Sequence, residues 1–193
     1  MPNAASGMSP PMHLSHGSRV AFVLVVVVTA LAACASAPRR PDGGVGLLPV
    51  GAEAPEVVGE APSGEAVRLS ASRGHAAVVY FYPRDATPGC TKEACAFRDA
   101  WDEYARDNVQ VFGVSAQSSE SHRAFQREHK LPFPLVADES GEVQRAYGVG
   151  KGLFGYQRVT FLVGPDGRVA RVWPDVDPGV HAREVLDAAR NAR

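Results

Sequence analysis

An apolar run from Ala76 to Tyr82 (AAVVYFY) stops at Pro83, and the chain passes through Arg84-Asp85-Ala86-Thr87-Pro88-Gly89 to Cys90. No other segment restricts the fold as tightly. A run of this length, rich in β-branched and aromatic residues and bounded by Pro, reads as a buried strand. The next stretch, from about Gly89 to Asn108, spaces Ala94, Phe97, Trp101 and Tyr104 three to four residues apart, as on one face of a helix. Cys90 therefore sits where a strand gives way to a helix. Unpaired backbone N–H groups and the helix dipole gather positive potential there, which favours thiolate over thiol. A second cysteine, Cys95, follows five residues later. An activated thiol with a nearby partner is the layout of a redox site that is oxidised and then closes a disulfide.

The remaining punctuation gives an alternating order. Glu56–Glu60 and Ala66–Leu69 read as short strands around Pro62-Ser63-Gly64. Val109–Ser115 reads as a second buried strand, Glu120–Lys130 as a helix with Phe125 inward, and Phe133–Ala137 as a short strand. Gly141–Tyr147 reads as a short helix ended by Gly148, and Pro178–Ala192 as a terminal helix. Arg158–Val163 and Arg168–Trp173 flank Gly164-Pro165-Asp166-Gly167, a hairpin signal. Strands alternating with helices and followed by a hairpin predict a layered α/β domain. Its sheet must be mixed, because hairpin strands are antiparallel.

The chain divides into three parts. Residues 20–33 (VAFVLVVVVTALAA) are apolar apart from Thr29, with Arg19 before them. The run is shorter than the ~20 residues of a membrane-spanning helix. A positive flank, a short apolar core and small residues at the end describe a secretory signal over 1–33. Leu31-Ala32-Ala33-Cys34 resembles a bacterial lipobox. That resemblance implies cleavage before Cys34, lipid on its sulfur and new N-terminus, and an exported protein anchored at a membrane. Residues 34–46 are rich in Pro, Gly and Ala and read as a lipidated N-terminus with a flexible tether. Residues 47–193 then form one domain large enough to bury a core.

Charge and cysteine usage narrow the function. The formal net charge is −1, and no basic cluster exists beyond Arg39-Arg40, so nucleic-acid binding has no electrostatic support. With Cys34 given to lipid, Cys90 and Cys95 are the domain's thiols. A structural disulfide between them would close a very short loop and constrain little. A thiol–disulfide oxidoreductase would normally show C-x-x-C rather than this wider gap. A binding lipoprotein with a merely structural disulfide is the alternative from outside enzymology. His122 and His129 lack an acidic or Cys partner at zinc spacing and read as surface polar residues.

A peroxide-reducing thiol needs an available thiolate and a donor for the oxygen that leaves. Thr87, three residues before Cys90, is near enough in a tight turn to point its hydroxyl at the sulfur. Pro83 and Pro88 fix φ in the loop and shield one side from water. Arg158 opens a strand after the Gly-rich segment Gly148–Gly155, and strand ends in α/β sheets are where sites are built. Arg84 competes for the same role.

The segments Tyr80-Phe81-Tyr82-Pro83, Thr87-Pro88-Gly89-Cys90-Thr91-Lys92-Glu93-Ala94-Cys95 and Phe97-Arg98-Asp99 resemble the peroxiredoxins, in their bacterioferritin-comigratory or Q-type branch. Further matching segments are Gly113-Val114-Ser115, Ser121-His122, Leu131-Pro132-Phe133-Pro134-Leu135, Tyr147-Gly148-Val149 and Arg158-Val159-Thr160-Phe161-Leu162. The likeness covers about residues 48–190. It implies a thioredoxin-like fold, a mixed central β-sheet flanked by helices, and thiol peroxidase activity without metal or organic cofactor. It implies that Cys90 is peroxidatic and Cys95 resolving, that Thr87 and Arg158 activate sulfur and peroxide, and that Pro83 shields them. The expected partners are a peroxide and a dithiol reductant of thioredoxin type, with no nucleic acid, membrane contact only through the lipid, and a monomeric state. A lipid anchor departs from the soluble members of this branch, and cytoplasmic thioredoxin could not reach an exported enzyme.

Overall fold

The computed structural model describes residues 37–192. The signal-peptide reading of 1–33 and the lipidation reading of Cys34 lie outside the described residues. In chain order the elements are β1 (Val58–Glu60), β2 (Ala66–Arg68), β3 (Ala77–Phe81), α1 (Pro88–Asp99), α2 (Trp101–Arg106), β4 (Gln110–Ser115), α3 (Ser119–His129), β5 (Leu135–Ala137), α4 (Glu142–Ala146), β6 (Lys151–Gly152), β7 (Gly155–Tyr156), β8 (Val159–Val163), β9 (Val169–Trp173) and α5 (His181–Asn191).

The main sheet has the order β2-β1-β5-β4-β3-β8-β9. Strands β3, β4 and β5 are parallel, and each crossover between them carries helix. The β8–β9 hairpin adds antiparallel strands at one edge, and β1 and β2 add them at the other. The sheet is mixed, as expected. Strand β3, interior to the sheet between β4 and β8, is buried along its whole length. Val78, Tyr80 and Tyr82 face a layer containing Phe97, Tyr104, Phe125 and Leu186, while Ala77, Val79 and Phe81 face one containing Phe112, Tyr147 and Phe161. Side chains alternate across a strand, so a strand covered on both faces must be apolar at every position. That is why Ala76–Tyr82 shows no alternation.

Two expectations are corrected. The single helix expected over 89–108 is two, because Ala100 leaves the helical region with ψ near 1°. Each segment makes its own hydrogen bond to another helix. Arg98 Nη1 donates to the His129 carbonyl at the end of α3 (2.8 Å), whereas the Tyr104 hydroxyl donates to the Ala182 carbonyl of α5 (2.6 Å). The Gly-rich segment before Arg158 contains the small β6–β7 hairpin, paired Lys151 to Tyr156 and Gly152 to Gly155.

The second correction concerns the tether. Residues 38–46 form a turn laid on the domain. Arg39 and Val45 bridge, and Gly46 N donates to the Pro38 carbonyl at 2.9 Å. Arg40 Nη1 donates to the carbonyls of Gly46 (2.9 Å) and Leu47 (3.1 Å). The Gly46 carbonyl abuts Gly148, where a Cβ would stand 1.9 Å from it and where φ is +67°. Only glycine allows that approach and that backbone angle. Turn-forming composition was legible, but Arg40 reaching back to hold those carbonyls was not.

Candidate active site

Cys90 is the third residue of α1, after Pro88 and Gly89, with Thr87 at the N-cap. Pro at the first helical position suits the start of a helix, since its missing N–H has no intrahelical acceptor to lose. The first turn closes with Thr91 N donating to the Thr87 carbonyl at 2.8 Å. The thiol is therefore at the positive end of a twelve-residue helix, and it is 2% exposed.

Arg158 immediately precedes β8, the antiparallel neighbour of β3. Its Nη2 donates to Cys90 Sγ at 3.3 Å, and its Nη1 donates to Glu93 Oε2. Burial opposes the arginine's charge, but the Glu93 carboxylate and the Cys90 sulfur outweigh it and hold its pKa above the usual value. Glu93 has no exposed side-chain surface. Burial pushes its carboxyl up to about 7, against the pull of Arg158. Among the described residues Glu93 Oε1 and the Tyr80 hydroxyl are buried without a hydrogen-bond partner. The sequence reading gave Glu93 no role of its own. Its signal was its position three residues after Cys90, on the same side of the helix.

Of the two candidate cations, Arg158 reaches the sulfur. Arg84 is exposed, and among the described residues no hydrogen bond from its side chain is seen. Thr87 is the N-cap residue, but its hydroxyl neither caps the helix nor reaches Cys90 as expected from the sequence. It donates to the Arg84 carbonyl at 3.1 Å. With its proton spent there, Oγ1 is left as an acceptor. Pro83 packs beneath the β6–β7 hairpin, where a Cβ on Gly155 would come within 2.1 Å of the Pro83 carbonyl. The hairpin thus sits directly on the loop that leads to Cys90.

The loop is fixed by a buried polar cluster that sequence reasoning missed. Asp85 Oδ1 accepts from the Tyr82 hydroxyl (2.7 Å), and Oδ2 accepts from Ser121 Oγ (2.6 Å) and faces His122 Nδ1 (2.9 Å). The Gln117 side chain accepts from Asp85 N. His122 Nε2 faces the Val136 carbonyl at 3.1 Å. Both ring nitrogens thus face oxygen atoms. Burial acts to raise the Asp85 carboxyl, but His122, Ser121 and Tyr82 overcome it and hold its pKa below the ordinary value. The reading of His122 as a surface residue is corrected: it is 3% exposed. Its i,i+3 spacing from Phe125, a buried residue of the same helix, was the available signal. The cluster holds the loop through Ala86, whose φ of 55° is left-handed without glycine.

Cys95 is half-buried and, like Cys90, a free thiol. Both lie on α1. Five helical residues separate Cα atoms by about 8.7 Å.

The AhpC/TSA family profile matches residues 50–172. Among relatives, the chain is 39% identical over 146 residues to a putative peroxiredoxin Bcp of Coxiella burnetii, covering 72% of this chain and 97% of that protein. It is 37% identical over 151 residues to peroxiredoxin Bcp of Bacillus subtilis, covering 75% and 96%. Among solved structures it resembles a bacterioferritin comigratory protein of Xanthomonas campestris, a trapped intermediate/ligand complex bearing on alkyl peroxide reduction. That likeness has a TM-score of 0.64 at 35% identity and covers 71% of this chain and 92% of the other.

Proposed function

The chain belongs to the AhpC/TSA family as a peroxiredoxin of the Bcp/Q type, a thiol peroxidase, and we propose that Cys90 is its peroxidatic cysteine and Cys95 its resolving one. The observation that carries this is the Arg158 guanidinium donating to Cys90 Sγ at the start of α1. A cation and a helix N-terminus converge on one sulfur, the surroundings of a nucleophilic rather than a structural thiol.

The Cys90 thiolate attacks the terminal oxygen of a hydroperoxide. The O–O bond breaks, the attacked oxygen stays on sulfur with its hydrogen as a sulfenic acid, and the other oxygen leaves as alkoxide or hydroxide. Arg158, already at the sulfur, stabilises the negative charge on the leaving oxygen, which then takes a proton. Thr87 Oγ1 accepts the hydroperoxide O–H and orients it. Cys95 next attacks the sulfenic sulfur. An S–S bond forms, the S–O bond breaks and water leaves. A dithiol of thioredoxin type supplies the two electrons that reopen the disulfide. Hydrogen peroxide and small alkyl hydroperoxides are the proposed substrates, the latter supported by the Xanthomonas relative. The step uses no metal or organic cofactor.

The same reading holds the protein to be exported, monomeric and lipid-anchored through Cys34. The apolar run 20–33 and the Leu31-Ala32-Ala33-Cys34 sequence support the anchor. Thiol counting tests the chemistry: one equivalent of peroxide should consume both domain thiols. Slow loss, or loss of only one, would refute the two-cysteine cycle.

A further inference from the structure

Leu153 is 96% exposed and Phe154 81%, more than any other large hydrophobic residue among those described. They form the tip of the β6–β7 hairpin. The hairpin is firmly seated: Gln157 N donates to the Gly150 carbonyl at 2.9 Å, Tyr156 is buried, and Gly155 lies on the Pro83 carbonyl. Arg158 follows two residues after Tyr156. A bare Leu-Phe pair is thus built onto the rim of the Cys90 site.

The course of the N-terminal turn indicates what covers the tip. Because residues 38–46 are folded onto the domain, Cys34 is separated from that turn by only Ala35, Ser36 and Ala37. Four Cα steps reach at most about 14 Å. The turn lies against Gly148, and the hairpin begins three residues later at Lys151. Five residues from Gly148 to Leu153 span at most about 18 Å. A lipid on Cys34 would thus be attached four residues before the turn that lies against Gly148, itself five residues before the tip.

We propose that Leu153 and Phe154 dock into the lipid surface and hold the Cys90 site toward hydroperoxides carried in the membrane. This rests on the lipid-anchored reading of Cys34. One acyl chain gives only marginal membrane binding, and an apolar side-chain pair is a second attachment of the required kind. Lys151 and Arg145, both within 3.3 Å of where a Cβ on Gly141 would stand, supply cations for lipid phosphates. Exposed Glu139 and Glu142 belong to the same stretch of chain, so the apolar pair rather than net charge makes the contact.

The test uses full-length protein in vesicles of phosphatidylethanolamine and phosphatidylglycerol. Phe154→Trp should be quenched by bromine-labelled acyl chains, with wild type giving the Trp101 and Trp173 background. Leu153→Ser with Phe154→Ser should lower the rate on vesicle-borne phospholipid hydroperoxide by about tenfold or more and leave the rate on hydrogen peroxide unchanged. Intact mass reads the anchor separately. Acylated Phe154→Trp protein whose added emission is not quenched keeps the anchor and overturns the docking. Quenching without acylation keeps the docking and overturns the anchor. Absence of both overturns both. Loss of self-association on the double serine change, with no effect on vesicle rates, assigns the tip to a second copy and also overturns the proposal.

Discussion

Arg158 Nη2 lies 3.3 Å from Cys90 Sγ, although 68 positions separate the two residues in the chain. The antiparallel pairing of β3 with β8 produces this approach. Phe81 at the end of β3 pairs with Val159 at the start of β8, so the segment leading to Cys90 and the residue before β8 leave the sheet at the same edge. The cation reaches the sulfur through sheet register.

Arg158→Met should slow the first reaction with peroxide by about 10²-fold or more, the scale of losing one preorganised donor. Arg84→Met, at an exposed side chain, should change it little. Stopped-flow rates showing the reverse ranking would transfer the role to Arg84.

The two cysteines should separate by step. Cys90→Ser is expected to abolish peroxide consumption. Cys95→Ser should retain one turnover and leave a sulfenic acid on Cys90 that a dimedone-type reagent traps. A Cys95→Ser protein that fails in the first step would reverse the assignment.

Disulfide formation should open α1. Its cysteines are about 8.7 Å apart at Cα on an intact helix, whereas a disulfide needs roughly 4.4–6.8 Å. The turns carrying Cys90 and Cys95 must unwind, so amide exchange over Thr91–Asp99 should be faster in the disulfide form than in the reduced form. Trp101, partly buried against Phe133, should report the change in emission. Equal protection and equal emission in both states would show that the two cysteines do not pair.

Glu93 sets a pH dependence of stability. In the fold it keeps its proton to about pH 7, whereas an unperturbed glutamate releases it near 4.5. Between those values the folded state binds more protons than the unfolded one, so stability present below pH 4.5 is lost as pH rises to about 7. Glu93→Gln should remove this slope, worth up to about 3 kcal/mol. Asp85, whose pKa is lowered, acts in the opposite sense and at lower pH: its contribution is lost as pH falls below the ordinary aspartate range. Urea midpoints measured from about pH 4.5 to about 7.5 check this. A flat wild-type profile would contradict it.

The Asp85–His122 pair should be costly to break from one side. His122→Ala leaves a carboxylate that is 5% exposed without its His122 hydrogen-bond partner, and about 1.5–3 kcal/mol of stability should be lost. Asp85→Asn combined with His122→Gln should lose less than the sum of the two single changes. Additive losses would show that the two residues do not act as a pair.

Local chemistry made much of this protein legible before any tertiary contact was known. Apolar runs marked β3, β4 and β8, Gly164-Pro165-Asp166-Gly167 marked the last hairpin, and Pro88 with Cys90 marked a thiol at a helix start. These signals are set by near neighbours in the chain, through backbone angles, periodicity and capping, so they survive in one dimension. The helix break at Ala100 was hidden, because no Gly or Pro marks it in the sequence. The burial of His122 was hidden too, since its partner Asp85 is 37 positions away. Thr87 was read as turning its hydroxyl toward the sulfur, but the direction of that hydroxyl is set by the Arg84 carbonyl. The turn held by Arg40 and the seat of Gly155 on Pro83 likewise depend on close approach between distant segments. The sequence by itself determined which elements form and which thiol begins a helix. The tertiary structure alone decided which cation reaches that thiol, which carboxylate holds the cation, and which apolar pair is left facing outward, because each depends on distances that only the packed sheet brings within bonding range.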